Sequence, residues 1–159
     1  MDIFEAYTAK IRADSMAKGM RVKLIATDAH RLPPKVYKDL LNLESETAKN
    51  EKFLLNICVS YGGRREIVNS AKAIAEAAIK GEIKVEDIDE NMFGQSMALD
   101  GPDPDVLIRT SEQRLSNFLL WQLAYSELVF LDKLWPEITE EDLVGVIDSY
   151  KRRQRRFGK

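Results

Sequence analysis

Three short apolar runs constrain this chain more than any other feature: Phe53 to Val59, Val106 to Ile108 and Leu128 to Leu131. They are shorter than helices usually are and hold many branched or aromatic side chains, so each reads as a strand in a covered sheet. Segments with apolar residues at helical spacing separate them. Covered strands that alternate with helices imply parallel pairing, and the expected fold is α/β, a parallel sheet flanked by helices.

Residues 2–18 place Ile3, Phe4, Tyr7, Ile11 and Met16 near helical spacing and stop at Gly19, which suits a helix end. Residues 21–26 alternate and then turn apolar, the pattern of another strand, before Thr27 to Pro34 breaks it. Pro34 suits the first turn of a helix running to about Lys49, with Val36, Leu40, Leu41 and Leu43 inward. Tyr61-Gly62-Gly63-Arg64 ends the strand at 53–59 sharply. A third helix then carries the stripe Ile67, Ala71, Ile74, Ala75, Ala78 and Ile79 up to Gly81. Residues 85–104 are the least regular, with a short helix around Asp87 to Met97. Ser116 can cap a strongly apolar helix reaching Ala124. Thr139 to Asp142 resembles a capping box and opens a last helix through Leu143, Val146, Ile147 and Tyr150. With no internal repeat and no linker, residues 1–159 read as a single domain.

Composition narrows the function classes. A chain of 159 residues with 45% apolar content can bury a sizeable core, so a disordered or low-complexity protein is excluded. One cysteine, Cys58, and one histidine, His30, cannot build a disulfide framework or a Cys/His zinc cluster, and a lone thiol fits a reducing compartment. No apolar stretch is long enough to span a bilayer and the amino terminus has no signal pattern, which together point to the cytosol. The net charge of -2 hides an asymmetry: residues 151–159 carry six of the 24 basic groups and no acid, leaving 18 basic against 26 acidic groups before them. Such a tail suits nucleic acid, acidic lipid or a phosphorylated ligand. It also suits a helix end whose cations complement the dipole, and charge alone favours that plainer role.

In open parallel sheets ligands bind beyond the carboxyl ends of the strands. Of the 11 arginines, five fall there: Arg31, Arg64, Arg65, Arg109 and Arg114. The guanidinium fork suits phosphate oxygens, and with Thr110, Ser111 and the free N–H groups of a helix starting near Ser116 it makes an anion cradle for a phosphorylated ligand. Arg31 or Arg65 alone is better read as a surface ion pair, whereas the cluster from Arg109 to Ser116 outweighs that reading. Phe118, Leu119 and Trp121 read as core, Cys58 as a small buried hydrophobe, and His30 as a loop residue. Gly62-Gly63 is a weak phosphate-loop hint, without the spacing of a known phosphate loop, and a tight turn explains it equally well. Glu127, just before the last apolar run, either pairs with an arginine or holds a divalent cation that bridges phosphate oxygens.

From Pro102 through Arg109-Thr110-Ser111-Glu112-Gln113-Arg114-Leu115-Ser116-Asn117 to Glu127, the sequence closely resembles the cis-prenyltransferases, the family of the undecaprenyl diphosphate synthases. The likeness continues through Leu134-Trp135-Pro136 and Tyr150 to Gly158, and earlier through Arg31-Leu32-Pro33 and Asn56 to Arg64. It implies a transferase that condenses isopentenyl diphosphate with an allylic diphosphate to make a cis-polyprenyl diphosphate, using Mg2+ and no nucleic acid. The resemblance assigns Arg109, Arg114 and Ser116 to the diphosphate of isopentenyl diphosphate and Glu127 to magnesium. Arg156 and Gly158 become the family's Arg-X-Gly ending, which reaches a partner's diphosphate site. A homodimer, or a heterodimer with a complete synthase chain, follows, as does peripheral membrane contact through the lipid product. This sequence departs from the family's Thr-Ser-Gly-Glu-Gln-Arg by passing directly from Ser111 to Glu112. It also matches only the later part of a family member. The expected fold therefore lacks the amino-terminal portion and its Asp-Gly-Asn-Gly-Arg-Trp-Ala-like motif, keeping the isopentenyl diphosphate half of the site. The other readings are a non-catalytic partner subunit that donates its basic tail to a complete synthase, and a generic phosphate-binding module.

Overall fold

The computed structural model describes residues 3–99 and 101–153, with side chains from residue 6 onward. The chain divides into two compact units, residues 1–102 and residues 103–159. In the first unit, α1 (Ile3–Lys18) ends at Gly19, whose φ of +66° is the left-handed backbone that closes a helix. β1 (Met20–Ile25) and β2 (Phe53–Cys58) pair in parallel, Met20 opposite Phe53 and Ile25 opposite Cys58. Parallel strands need a crossover, and α2 (Pro34–Thr47) supplies it with Pro34 in its first turn. Both α1 and α2 pack on β1 and on each other, around buried Val22, Ile25, Leu40 and Leu43.

Side chains of α2 and the turn after it occupy the edge of β1 away from β2. The Val22 N–H donates to Thr47 Oγ1 at 3.0 Å, and the Leu24 N–H donates to Glu44 Oε2 at 3.2 Å. Asn50 Nδ2 donates to the Met20 carbonyl at 2.9 Å. Thr47 is fully buried and its hydroxyl in turn donates to the Leu43 carbonyl at 2.8 Å, so one side chain ties helix to strand.

Burial corrects several inward assignments. Leu41 is exposed because the buried stripe of α2 is Val36, Leu40, Leu43 and Thr47, and Leu41 lies one residue, a 100° turn, beyond it. On α3 (Gly63–Ile79) the buried residues are Gly63, Glu66 and Ser70. Ile67, Ile74 and Ala78 are half-buried, Ala71 and Ala75 are exposed, and Ile79 is 86% exposed. β2 is half-buried, and Phe53 at its start is exposed, because a sheet of two strands gives each strand one neighbour only. α4 (Glu90–Gln95) sits within the expected short helix, capped by Asp89, whose carboxylate accepts from the Met92 N–H at 2.8 Å.

In the second unit β3 (Val106–Thr110) and β4 (Glu127–Leu131) pair in parallel, Val106 opposite Glu127 and Thr110 opposite Leu131. Parallel pairing is thus found throughout, in two sheets of two strands each among the described residues. The expected helix over 116–124 does not form: Ser116, Asn117 and Leu119 have φ of 53°, 63° and 42°, which a right-handed helix cannot contain. Turns replace it, and they still bury Leu119, Gln122 and Leu123. The capping box is present at the start of α5 (Glu140–Arg152), where Thr139 Oγ1 accepts from the Asp142 N–H and Asp142 accepts from the Thr139 N–H. Hydrogen bonds from Lys133 and Thr139 hold the Asp142 carboxyl down at about 2.

Replacing Thr47 with Val keeps the shape and removes the acceptor of the buried Val22 N–H. The expected loss is about 1 to 3 kcal/mol in urea unfolding, with Thr47→Ser close to wild type. Equal midpoints for Thr47→Val and wild type would show that the edge of β1 does not need this acceptor.

Candidate functional site

β3 delivers Arg109 to its carboxyl end, and the chain then turns in one residue. The Glu112 N–H donates to the Thr110 carbonyl at 2.8 Å across Ser111, whose φ is +60°. A three-residue turn with positive φ is the rare, strained form, and serine bears it here where the family pattern offers a glycine. The turn folds Glu112 back over Arg109, so Arg109 Nη2 contacts Glu112 Oε2. Arg114 approaches the same carboxylate from the other side, with Nη2 2.7 Å from Oε1 and Nε 3.2 Å from Oε2. Hydrogen bonds from Arg114 and then Arg109 hold the Glu112 carboxyl below its ordinary range. The two arginines singled out from the sequence therefore converge on one anion, although the loop between them is a residue shorter than the family's. The Arg109 Nε is buried and has no hydrogen-bond partner.

Ser116 follows two residues after Arg114 in left-handed backbone. Since no helix starts there, the expected cradle of N–H groups at a helix N-terminus is absent, and any anion would meet side chains and turn amides instead. Of the five non-glycine residues with positive φ among the described residues, four lie between Ser111 and Leu119; the fifth is Ser60.

Glu127 is not brought to this cluster. It opens β4 opposite Val106, three ladder positions, or about 10 Å, from the level of Arg109. An odd offset also puts the two side chains on opposite faces of the sheet. The partner of Glu127 is Arg153, just past the end of α5, and Tyr150 in the last turns of the same helix donates to Asp105 Oδ1 at 3.0 Å. Arg156 and Gly158 lie outside the described residues. No group of three metal-ligating side chains occurs among the described residues.

The remaining arginines of the strand ends belong to the first unit. Arg31 pairs with Asp28 at 3.8 Å, the surface pairing expected of it, and His30 lies 3.3 Å from the same carboxylate. The segments after β1 and β2 are bonded together: the Gly62 N–H donates to Thr27 Oγ1 at 2.9 Å, and Ser60 Oγ donates to the Asp28 carbonyl at 2.8 Å. Beneath them lies a cavity of about 250 Å³ lined by Thr27, Glu66, Asn69, Ser70 and Ser96 with three alanines. Glu66 was missed from the sequence. It is 3% exposed, and its oxygens accept from Tyr61 Oη at 2.5 Å and the Ala98 N–H at 3.0 Å. Gly63, Glu66 and Ser70 recur at helical spacing, a signal that apolar counting passes over. Cys58 is half-buried, less enclosed than the buried hydrophobe expected, and burial, helped by the charge of Glu66, pushes its thiol up to about 11, as for an inert cysteine.

A family model described as putative undecaprenyl diphosphate synthase matches residues 1–158. An isoprenyl transferase of Prochlorococcus marinus is 45% identical over 160 residues, covering 99% of this chain and 58% of the relative. A tritrans,polycis-undecaprenyl-diphosphate synthase (geranylgeranyl-diphosphate specific) of Thermoplasma volcanium is 43% identical over 162 residues, covering 99% of this chain and 62% of the relative. The chain thus spans about three-fifths of the length of these curated relatives. Among solved structures, lavandulyl diphosphate synthase from Lavandula x intermedia in complex with dimethylallyl diphosphate superposes with a TM-score of 0.93 at 35% identity, over 99% of this chain and 69% of that one. A probable undecaprenyl diphosphate synthase from Campylobacter jejuni gives 0.84 at 29%, over 99% and 72%.

Ser111→Gly relieves the left-handed backbone and should raise unfolding stability by about 1 kcal/mol, read as a higher denaturant midpoint. An unchanged midpoint would mean that the turn carries no strain. Cys58 should react with maleimide at pH 8 far more slowly than free cysteine, since little thiolate forms below its raised pKa. A rate equal to that of free cysteine would mean that the thiol is not protected.

Proposed function

We propose, for a chain that belongs to the undecaprenyl diphosphate synthase family, that it carries the isopentenyl diphosphate half-site of a cis-prenyltransferase. The reaction is the condensation of isopentenyl diphosphate with an allylic diphosphate to a cis-polyprenyl diphosphate. The observation that carries this is the convergence of Arg109 and Arg114 on one anion at the carboxyl end of β3, within the stretch that bears the family motif. Two guanidinium forks within reach of one carboxylate offer the charge and directed N–H groups that a diphosphate needs. In this reading Arg109 and Arg114 bind and orient the diphosphate, and the Ser116 hydroxyl adds a donor. The single match over residues 1–158 supports reading both units as parts of one domain.

Magnesium is commonly held by one or two carboxylates together with phosphate oxygens and water, so Glu127 alone fits it once Arg153 is released. When bound, the ion would supply positive charge to a diphosphate. Because Glu127 faces away from Arg109 of its own chain, a diphosphate at Glu127 is best read as one held by another subunit. This agrees with a dimer in which the tail, through Arg156 and Gly158, also serves the partner's site. No helix among the described residues is long and apolar enough to cross a membrane. A cytoplasmic location, with peripheral contact through the lipid product, is the reading we adopt.

Arg109→Ala removes a charge-assisted contact worth roughly 1.5 to 3 kcal/mol and should weaken binding of inorganic diphosphate with magnesium by one to two orders of magnitude. Calorimetry on both proteins reads this directly. Equal affinities would mean that the arginines form an ion-pair surface and no substrate site.

A further inference from the structure

We infer that Glu112 is an internal anion that occupies the diphosphate position between Arg109 and Arg114 and has to be displaced before a ligand binds, so that this residue sets the affinity of the site. The inference rests on the reading of those two arginines as diphosphate ligands. Glu112 places one carboxylate against both guanidinium groups, with Oε2 shared between Arg109 and Arg114 and Oε1 taken by Arg114. Its two oxygens therefore serve three nitrogens.

They do not serve a fourth. The Arg109 Nε stays buried with no hydrogen-bond partner, although a guanidinium edge normally meets an anion through both Nε and Nη. A single carboxylate already spent on Arg114 cannot supply that acceptor. A diphosphate, with more anionic oxygens spread over two phosphoryl groups, can meet the Nε and Nη2 of Arg109 while also engaging Arg114.

Displacement is feasible because the clamp is open to water. The side chains of Glu112 and Arg114 are 41% and 67% exposed, and ion pairs so exposed are individually weak. Geometry makes Glu112 a local competitor: the one-residue turn at Ser111 holds it beside Arg109 at every moment, so its effective concentration is high even though its contacts are weak. The cost of removing it falls on any anion that enters.

The test is calorimetric titration of inorganic diphosphate, at fixed ionic strength, into the full chain and its Glu112→Gln and Glu112→Ala variants, each checked for an unchanged thermal midpoint. Both variants should bind roughly 3- to 10-fold more tightly than wild type. In parallel, the carboxyl carbon resonance of Glu112 in wild type should move with the same midpoint as the heat, because the carboxylate leaves the arginines as diphosphate arrives. Equal or weaker binding by both variants would overturn the inference and make Glu112 an organiser of the arginines. So would a Glu112 resonance that stays fixed while diphosphate binds. Those results leave the diphosphate site itself standing, whereas binding by none of the three proteins would overturn both readings.

Discussion

Parallel pairing of β3 with β4 obliges the chain to travel back along the length of β3 before β4 can begin, and residues 111–126 make that return without a helix. Most of what is distinctive in the second unit follows from this obligation. The return starts with a turn across the single residue Ser111, which throws Glu112 over Arg109, and continues through the left-handed residues Ser116, Asn117 and Leu119. Burial of Leu119 and Leu123 anchors it, and the Ser126 hydroxyl closes it by donating to the Pro104 carbonyl at 2.5 Å. A connection so constrained presents Arg109 and Arg114 side by side. In β1 and β2 the same obligation is met by α2, a regular helix, and the connection is correspondingly free of positive φ outside glycine.

Where local pattern and tertiary context agree, the sequence is readable. Gly19 stops α1, Pro34 starts α2, and Thr139 with Asp142 caps α5, because each of these signals works through backbone geometry within a turn or two. Burial was less readable. The stripe assigned to α3 treats every Ile and Ala as inward, whereas the buried side chains there are Glu66 and Ser70, satisfied by Tyr61, Ala98 and Ser96 from elsewhere in the chain. Hydropathy has no means of anticipating a buried carboxylate satisfied by a tyrosine five residues before it and a backbone N–H 32 residues after it. The apolar run after Ser116 has ordinary helical content, yet left-handed backbone at Ser116, Asn117 and Leu119 interrupts it, a feature that hydropathy does not record.

At the site, residue type was readable and relative placement was not. That Arg109 and Arg114 address one anion could be anticipated from their spacing and chemistry. That Glu127 lies on the other face of the sheet could not, because its position depends on the register of β3 with β4, and a slip of one residue in that register reverses which face its side chain shares. Charge pairing was also hidden. Several acids before residue 151, or pairing across it, have specific partners: Glu112 for Arg109 and Arg114, Glu127 for Arg153, Asp142 for Lys133, Asp28 for Arg31. Arg109 and Arg114, both proposed to meet diphosphate, thus already have a carboxylate, and exposed pairs of this kind exchange readily as salt rises.

The sealed edge of β1 makes the first sheet directional. Strands recruit neighbours through unspent backbone donors and acceptors, and on this edge the Val22 and Leu24 N–H groups and the Met20 carbonyl are committed to Thr47, Glu44 and Asn50. Any strand that joins this sheet, from the same polypeptide or another, is therefore steered to the side of β2. The helix that connects the pair also fixes the direction in which the sheet can grow, and it guards the opposite border against edge-to-edge aggregation.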